Sequence, residues 1–352
     1  MAEPPPPDTA PASEAPAAAP AQAQAQAQAQ APTPAPSSAA PTPTPAPAPA
    51  PAPAPSPAPS SIFAIPAPLR RLFNHFPLRT TPETPLPARC AVTSSANLPI
   101  LFLFTTEDGA RDGLPSFNPA CLKWQTYLKM NGLDFTVRPS NNHASPSGAL
   151  PFLLTPAPAA EALPSSKLES YVSRTAANNN NRTHHPRPSP ARTHPSLLDS
   201  ALRPAYLHAL YLSAPNTPLL TSLYVPPENP YPVRASLLHT LRAAAEEEIL
   251  AVTRSPFVNP DAIYAAAEEA LEALEDLLRG KEWFFEGEEG EEERERGPTL
   301  FDASVFAYTN FLLEDRFVWG DERLRGLVAG FPSLVEHRGR ILGKYWPEEA
   351  KR

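Results

Sequence analysis

The fold is decided by residues 140–156, which read SNNHASPSGALPFLLTP. Polar turn residues run directly into an apolar segment of strand length, and Pro151 lies inside that segment. Proline has no amide hydrogen to give to a sheet, so it is confined to strand starts, edges and bulges. The segment therefore predicts a strand that begins at a proline.

The elements before this proline predict an α/β domain. Three segments have the apolar composition and length of strands: residues 98–105, 133–139 and 149–154. Between the first two, Asn118 and Pro119 have the pattern of a helix start, and Gly132 that of a helix end. A strand–helix–strand unit followed by a strand that starts with proline matches a thioredoxin-like fold. In that fold the Leu150–Pro151 peptide bond is cis.

The N-terminal part of the chain has a different composition. The protein has 352 residues, of which 51 are proline, and residues 1–60 are almost entirely Ala, Pro, Gln, Ser and Thr. Such a segment has little apolar surface to bury, so we expect a disordered tail. Residues 61–97 form a docking or extension segment whose first part, 61–79, is basic and apolar. We interpret this part either as a strand or coil packed on the next domain or as a docking segment for a partner or a membrane surface. The docking candidates share this composition: Arg70, Arg71, Phe73 and Phe76.

Composition also restricts the function classes. The net charge of −8 argues against nucleic-acid binding. The two cysteines, Cys90 and Cys121, form no CxxC motif, which indicates a reducing compartment without disulfides or structural zinc. No apolar run is long enough to span a bilayer, and no basic residue precedes Arg70, so we expect neither a secretory signal nor a matrix presequence. We expect the protein on the cytosolic side of any membrane.

The second half of the chain is predicted to be helical. An Asn- and Pro-rich insertion at 173–196 contains histidines without ligand geometry, so no metal site is predicted. Residues 197–346 then carry helical patterns, interrupted by an acidic loop at 286–297. Thr299 and Asp302 have the spacing of a capping box before an apolar helix. An α/β domain at 98–172 followed by such a helical domain is the layout of a glutathione-transferase-like protein.

Four separate motifs resemble the metaxin family in the order in which that family has them. They are CLKWQTYLKMNGLDF, NHASPSGALPFLL, PTLFDASVFAYTNFLL and FPSLVEHRGRILGKYW. Nine residues are expected to define the fold: Ser145, Pro146, Ser147, Gly148, Pro151, Glu169, Ser170, Thr299 and Asp302. Within the family, the chain most resembles the metaxin-type subunit of the mitochondrial sorting and assembly machinery of filamentous fungi.

The resemblance implies a non-enzymatic peripheral subunit on the cytosolic face of the mitochondrial outer membrane. Its partners would be the barrel-forming core subunit, a second metaxin-like subunit and the β-barrel precursors, whose C-terminal β-signal it would help to recognise. Some metaxins have a C-terminal membrane anchor, whereas this sequence ends in YWPEEAKR. Attachment through protein contacts is therefore expected.

The alternative implied by the fold is a glutathione-dependent transferase or reductase. Glutathione transferases activate the thiol with a Tyr, Ser or Cys at the start of the first helix, where this chain has Asn118. Ser116 and Cys121 lie nearby, and Cys121 is predicted to face the core. Glu169 and Ser170 correspond to the γ-glutamyl-binding position, although a helix-capping role accounts for both. We predict no catalytic residue and no cofactor. A soluble glutathione-transferase-like interaction module, as in translation or synthetase complexes, is a further alternative.

Overall fold

The computed structural model describes residues 98–156, 159–178, 197–285 and 297–347, together with positions 68 and 71. The chain divides into two compact units, and every element described below belongs to the one that includes Thr84–Arg352. The predicted tail, the docking candidates Arg70, Phe73 and Phe76, and all but Gly297 of the predicted acidic loop lie outside the described residues. Arg71 is helical and exposed.

A four-stranded mixed sheet forms the first domain. The strands are β1 (Ile100–Leu103), β2 (Thr136–Pro139), β3 (Phe152–Leu154) and β4 (Ala162–Pro164), in the spatial order β2-β1-β3-β4. β1 runs parallel to β2 and antiparallel to β3. The predicted succession of strand, helix, strand and proline-led strand along the chain is confirmed, whereas β4 was not predicted, and the Leu150–Pro151 bond is cis, as predicted. The proline directly precedes β3, so no ladder hydrogen bond is lost.

Helices cover this sheet and connect its strands. They are α1 (Glu107–Arg111), α2 (Pro119–Met130) and α3 (Leu168–Asn178). Asn118 caps α2, Pro119 is its first residue, and Gly132 beyond its end has a φ of +65°, as the sequence pattern predicted. The predicted start of a disordered insertion at residue 173 is wrong, because α3 continues to Asn178. The rest of that insertion lies outside the described residues.

The second domain is helical, as predicted. A continuous helical segment, α4, consists of Leu198–Leu202, Arg203–Leu207 and His208–Leu212, and its first and last parts are π-helical. The others are α5 (Thr217–Tyr224), α6 (Tyr231–Thr253), α7 (Pro260–Leu278), α8 (Leu300–Leu313), α9 (Arg323–Ala329) and α10 (Pro332–Tyr345). Helix α5 was not predicted from the sequence, and α9 was not separated from α10. The Glu-rich face of α7 is largely exposed.

Helix α8 joins the two domains. Its Val305 and Phe311 belong to the apolar core of the helical domain, whereas Phe306 and Ala307 pack into the core that surrounds the sheet. Within the sheet core, the rings of Phe102 and Phe152 stack with their centroids 4.5 Å apart. Because α8 contributes to both cores, the start of α2 is held against the helical domain.

The predicted capping box at the start of α8 is present and extends further than expected. Thr299 Oγ1 accepts hydrogen bonds from the amides of Phe301 and Asp302, and the Asp302 carboxylate accepts from the Thr299 amide. The other carboxylate oxygen accepts from the Phe284 amide and lies 3.1 Å from His337 Nε2. Asp302 and His337 are both fully buried, so this cluster ties α10 and residues 281–285 to α8.

Candidate functional site

The start of α2 is the position at which a glutathione transferase activates its thiol. Here the side chain of Asn118 occupies it. Its Oδ1 accepts a hydrogen bond from the Cys121 amide (3.2 Å), and its Nδ2 donates to the hydroxyl of Tyr224 (3.0 Å). Asn118 is only 1% exposed. Helix N-termini bind anions through such amides, and in this protein the Cys121 amide already has an acceptor within the chain.

Ser116 is also part of an internal network. Its hydroxyl donates to the carbonyl of Phe104 (2.6 Å) and accepts from the Asn118 amide (3.2 Å). Its own amide donates to Gln125 Oε1 (2.9 Å), and Gln125 Nε2 donates to the Leu114 carbonyl. Ser116 and Gln125 are both buried. The hydroxyl therefore orients the loop before α2 and has no access to a solvent-borne ligand.

Cys121 is a buried thiol, as the sequence analysis predicted. It is fully inaccessible to solvent. Burial raises the pKa of its thiol to about 12, although hydrogen bonds with the Phe104 backbone and the Ser116 side chain act in the opposite direction. A thiol with this pKa stays protonated at neutral pH, and only the thiolate is a good nucleophile. Cys121 therefore packs as a small apolar side chain and is not a reactive thiol.

Aromatic rings from both domains fill the space in front of these polar groups. Phe104 and Phe117 come from the first domain, and each packs edge-on against Tyr224 of α5, with centroids 5.5 and 5.4 Å apart. Tyr211 lies behind Tyr224 at 5.9 Å. Burial is the main cause that raises the pKa of both tyrosines, so the phenols are neutral. The site is thus closed by contacts between the domains.

The loop before Pro151 satisfies its polar groups internally. The Gly148 amide donates to the Ser145 carbonyl (3.1 Å), and Gly148 has a φ of +73°, a conformation that favours glycine. The hydroxyls of Ser145 and Ser147 are 3.2 Å apart. The amide of Leu150 donates to Asn142 Oδ1 (2.8 Å) in a buried position. Pro146, which completes this motif, is exposed on the turn.

Glu169 and Ser170 do not cap a helix from in front, contrary to the sequence interpretation. Both lie inside the first turn of α3, because the helix already begins at Leu168 after a 3-10 turn. The Ser170 hydroxyl donates to the Lys167 carbonyl (2.9 Å), and Ser170 is exposed. Among the described contacts, no hydrogen bond joins this pair to Asn118 or Ser116.

Two side chains that matter for the site were not identified from the sequence. The Tyr224 hydroxyl holds Asn118 in place, and the Gln125 side chain holds Ser116. The two residues of each pair meet only in the folded chain. An unusual polar residue inside the apolar pattern of α2 was the signal available for Gln125.

The described residues lack two further features. They contain no group of three or more His, Cys, Asp or Glu side chains that could hold a metal ion. None of the described helices has both the length and the apolar character needed to cross a membrane. The residues at the start of α2 therefore offer neither a metal site nor an accessible thiol site.

Comparison with known proteins agrees with this architecture. Residues 119–216 match the glutathione S-transferase N-terminal domain, and residues 267–341 match the glutathione S-transferase C-terminal domain. Metaxin-1 of Mus musculus and metaxin-1 of Sus scrofa are each 25% identical over 243 residues, which is 67% of this chain and 73% of theirs.

Solved structures with a similar fold include a glutathione transferase family member from Pseudomonas fluorescens pf-5 with two glutathione molecules bound. It is 11% identical, with a TM-score of 0.40, over 73% of this chain and 94% of that one. A β-etherase from Sphingobium is 14% identical, with a TM-score of 0.41, over 72% and 97%. The two transferase domains in this order, together with the similarity to metaxin-1, support an assignment of the chain to the metaxin family.

Proposed function

We propose that this protein is a non-enzymatic peripheral subunit of the mitochondrial outer-membrane sorting and assembly machinery. It would lie on the cytosolic face, beside the barrel-forming core subunit and a second metaxin-like subunit, and help to recognise and insert β-barrel precursors. The similarity to metaxin-1 over 243 residues carries this proposal, because it extends beyond the common fold to a particular family.

The geometry at the start of α2 supports the absence of catalysis. A transferase of this fold needs an accessible group that stabilises a thiolate, and the Asn118 amide side chain is buried and already bonded at both ends. Cys121 is protonated and inaccessible. The residues present do not fit bound glutathione, so no reaction step is assigned to it.

Copurification from mitochondria tests the proposal. A tagged full-length chain, purified from mitochondria in mild detergent, should retain a β-barrel membrane protein in stable amounts. The docking segment predicted from the sequence supplies the variant: replacing Phe73 and Phe76 with Asp should release the chain from the complex. Replacing the exposed Val318 with Asp is the matched control, and it should leave copurification unchanged.

The outcome separates the alternatives. Recovery of the tagged chain in the cytosolic fraction, without any β-barrel protein, would instead support a soluble interaction module. Turnover of glutathione by the purified chain would support the transferase alternative. Normal copurification of the Phe73 and Phe76 variant would reject these two side chains as the docking contact but would leave the subunit assignment in place.

A further inference from the structure

Strand β2 is an outer strand of the sheet, and one of its two edges has no strand partner among the described residues. The amides of Thr136 and Ser140 donate to β1, at Pro99 and Leu103. Backbone groups alternate in direction along a strand. The N–H and C=O of Val137, and the C=O of Pro139, therefore point away from β1.

Two clefts follow this free edge. One, of about 360 Å³, is lined by the end of α2 and by the apolar side chains of Leu133, Phe135 and Val137. The other, of about 330 Å³, lies between α1 and the end of β2. Ala110 and Val137 line both clefts, so the clefts adjoin along the strand and form one groove, with α1 as its wall.

The groove differs between its two faces. Phe135 and Val137 pack against the sheet core, whereas Thr136, between them, is exposed on the opposite face. A strand that is added to β2 would place alternate side chains against the apolar face and the others in solvent. Strands of membrane β-barrels have this alternation of apolar and polar side chains.

The charges around the groove select among extended peptides. The lining includes the basic residues Lys129, Arg111 and Arg138 and the acidic residues Glu107 and Asp134, so it is nearly neutral on a chain of net charge −8. A nearly neutral lining favours a strand of low charge and gives no advantage to the Arg-rich helix of a matrix presequence. The other outer strand, β4, is only three residues long and leads directly into a 3-10 turn.

We propose that the free edge of β2 binds an extended strand of an unfolded β-barrel precursor, which is added to the sheet through its backbone. This inference rests on the proposed function and names the surface that would carry out recognition. Backbone hydrogen bonds to Val137 would supply affinity, and the two clefts would select alternating apolar side chains.

Site-specific photocrosslinking tests the proposal in the full-length chain. A photoreactive amino acid is placed at the exposed Thr136, or at the exposed Val318 as the control position. A radiolabelled porin precursor is then added to mitochondria that contain each variant. The precursor should crosslink at position 136 and not at position 318, and a matrix-targeted precursor should crosslink at neither.

Backbone variants test the hydrogen bonds themselves. Val137→Pro removes the outward N–H without removing a bond to β1, and Val137→Ile keeps it. The proline variant should bind a synthetic peptide of the last porin strand about tenfold more weakly than the isoleucine variant. If Val137→Pro fails to fold by circular dichroism, Ala110→Trp obstructs both clefts from α1 and should weaken binding in the same way.

Two results would overturn the inference, and a third would contradict the proposed function on which it rests. Equal peptide binding by Val137→Pro and Val137→Ile, with Ala110→Trp also unchanged, would show that the edge is not used. Crosslinking of position 136 to a second copy of this chain, rather than to the precursor, would show that the edge joins subunits. Loss of precursor crosslinking together with loss of copurification of the β-barrel subunit would instead contradict the proposed function.

Discussion

Asp302 gives the sharpest test of how the two domains are held together. Its fully buried carboxylate accepts hydrogen bonds from the Thr299 amide and hydroxyl (2.7 Å each) and the Phe284 amide (3.1 Å) and lies 3.1 Å from His337 Nε2. Replacing it with Ala removes the half of the capping box in which the carboxylate accepts from the Thr299 amide, while the Thr299 hydroxyl still caps the helix. It also leaves buried donors without an acceptor, at about 1–3 kcal/mol each. The free energy of unfolding should fall by about 3–5 kcal/mol.

Urea unfolding measures this change. Far-UV circular dichroism follows the helices, and fluorescence follows the four tryptophans, one of which, Trp283, has its ring 6.0 Å from that of His337. Asp261→Ala is the matched control: Asp261 is also in the first turn of a helix, but its side chain is 87% exposed and its ion pair with Arg323 lies on the surface. The control should lose less than about 1 kcal/mol. Equal losses in the two variants would refute the reasoning.

Three other predictions concern the closed site. Asn118→Ala should lower the free energy of unfolding by about 2 kcal/mol, and Tyr224→Phe should lower it by about 1 kcal/mol. In a double-mutant cycle of these two variants, a coupling energy below about 0.3 kcal/mol would contradict the Asn118–Tyr224 contact. The second prediction uses a Cys90→Ser background, so that Cys121 is the one thiol that can react. At pH 8 the native protein should react with a disulfide reagent at least about a thousandfold more slowly than the unfolded chain, because a pKa of about 12 leaves almost no thiolate. Comparable rates would show an accessible thiol. The same raised pKa means that the contribution of Cys121 to stability is full below about pH 8.5 and falls by about 1.4 kcal/mol per pH unit above it. A Cys121→Ala variant that keeps this dependence in urea titrations between about pH 8.5 and 10, below the range in which the buried tyrosines contribute, would reject Cys121 as its source.

Local patterns were enough to predict much of the fold. Asn118 before Pro119, Pro151 at a strand start and the spacing of Thr299 and Asp302 each act through neighbours only a few residues away. Their backbone consequences are therefore encoded in short stretches of sequence. The order of strands and helices followed from these positions and from apolar segments of the right length.

The features that were missed depend on contacts between distant residues. Tyr224 is 106 residues from Asn118, and His337 is 35 residues from Asp302. No local pattern indicates that such pairs meet, because α8 first has to bring the two domains together. The capping role assigned to Glu169 and Ser170 was wrong for a related reason: a 3-10 turn starts the helix earlier than the polar residues suggested.

Assembly of β-barrel precursors in isolated mitochondria tests the central claim most directly. The protein is depleted, and a radiolabelled porin precursor is imported beside a matrix-targeted precursor as the control. The account predicts that porin fails to reach its assembled, membrane-integrated form while the matrix precursor is imported and processed normally. Normal assembly of porin in depleted mitochondria would contradict the proposed function.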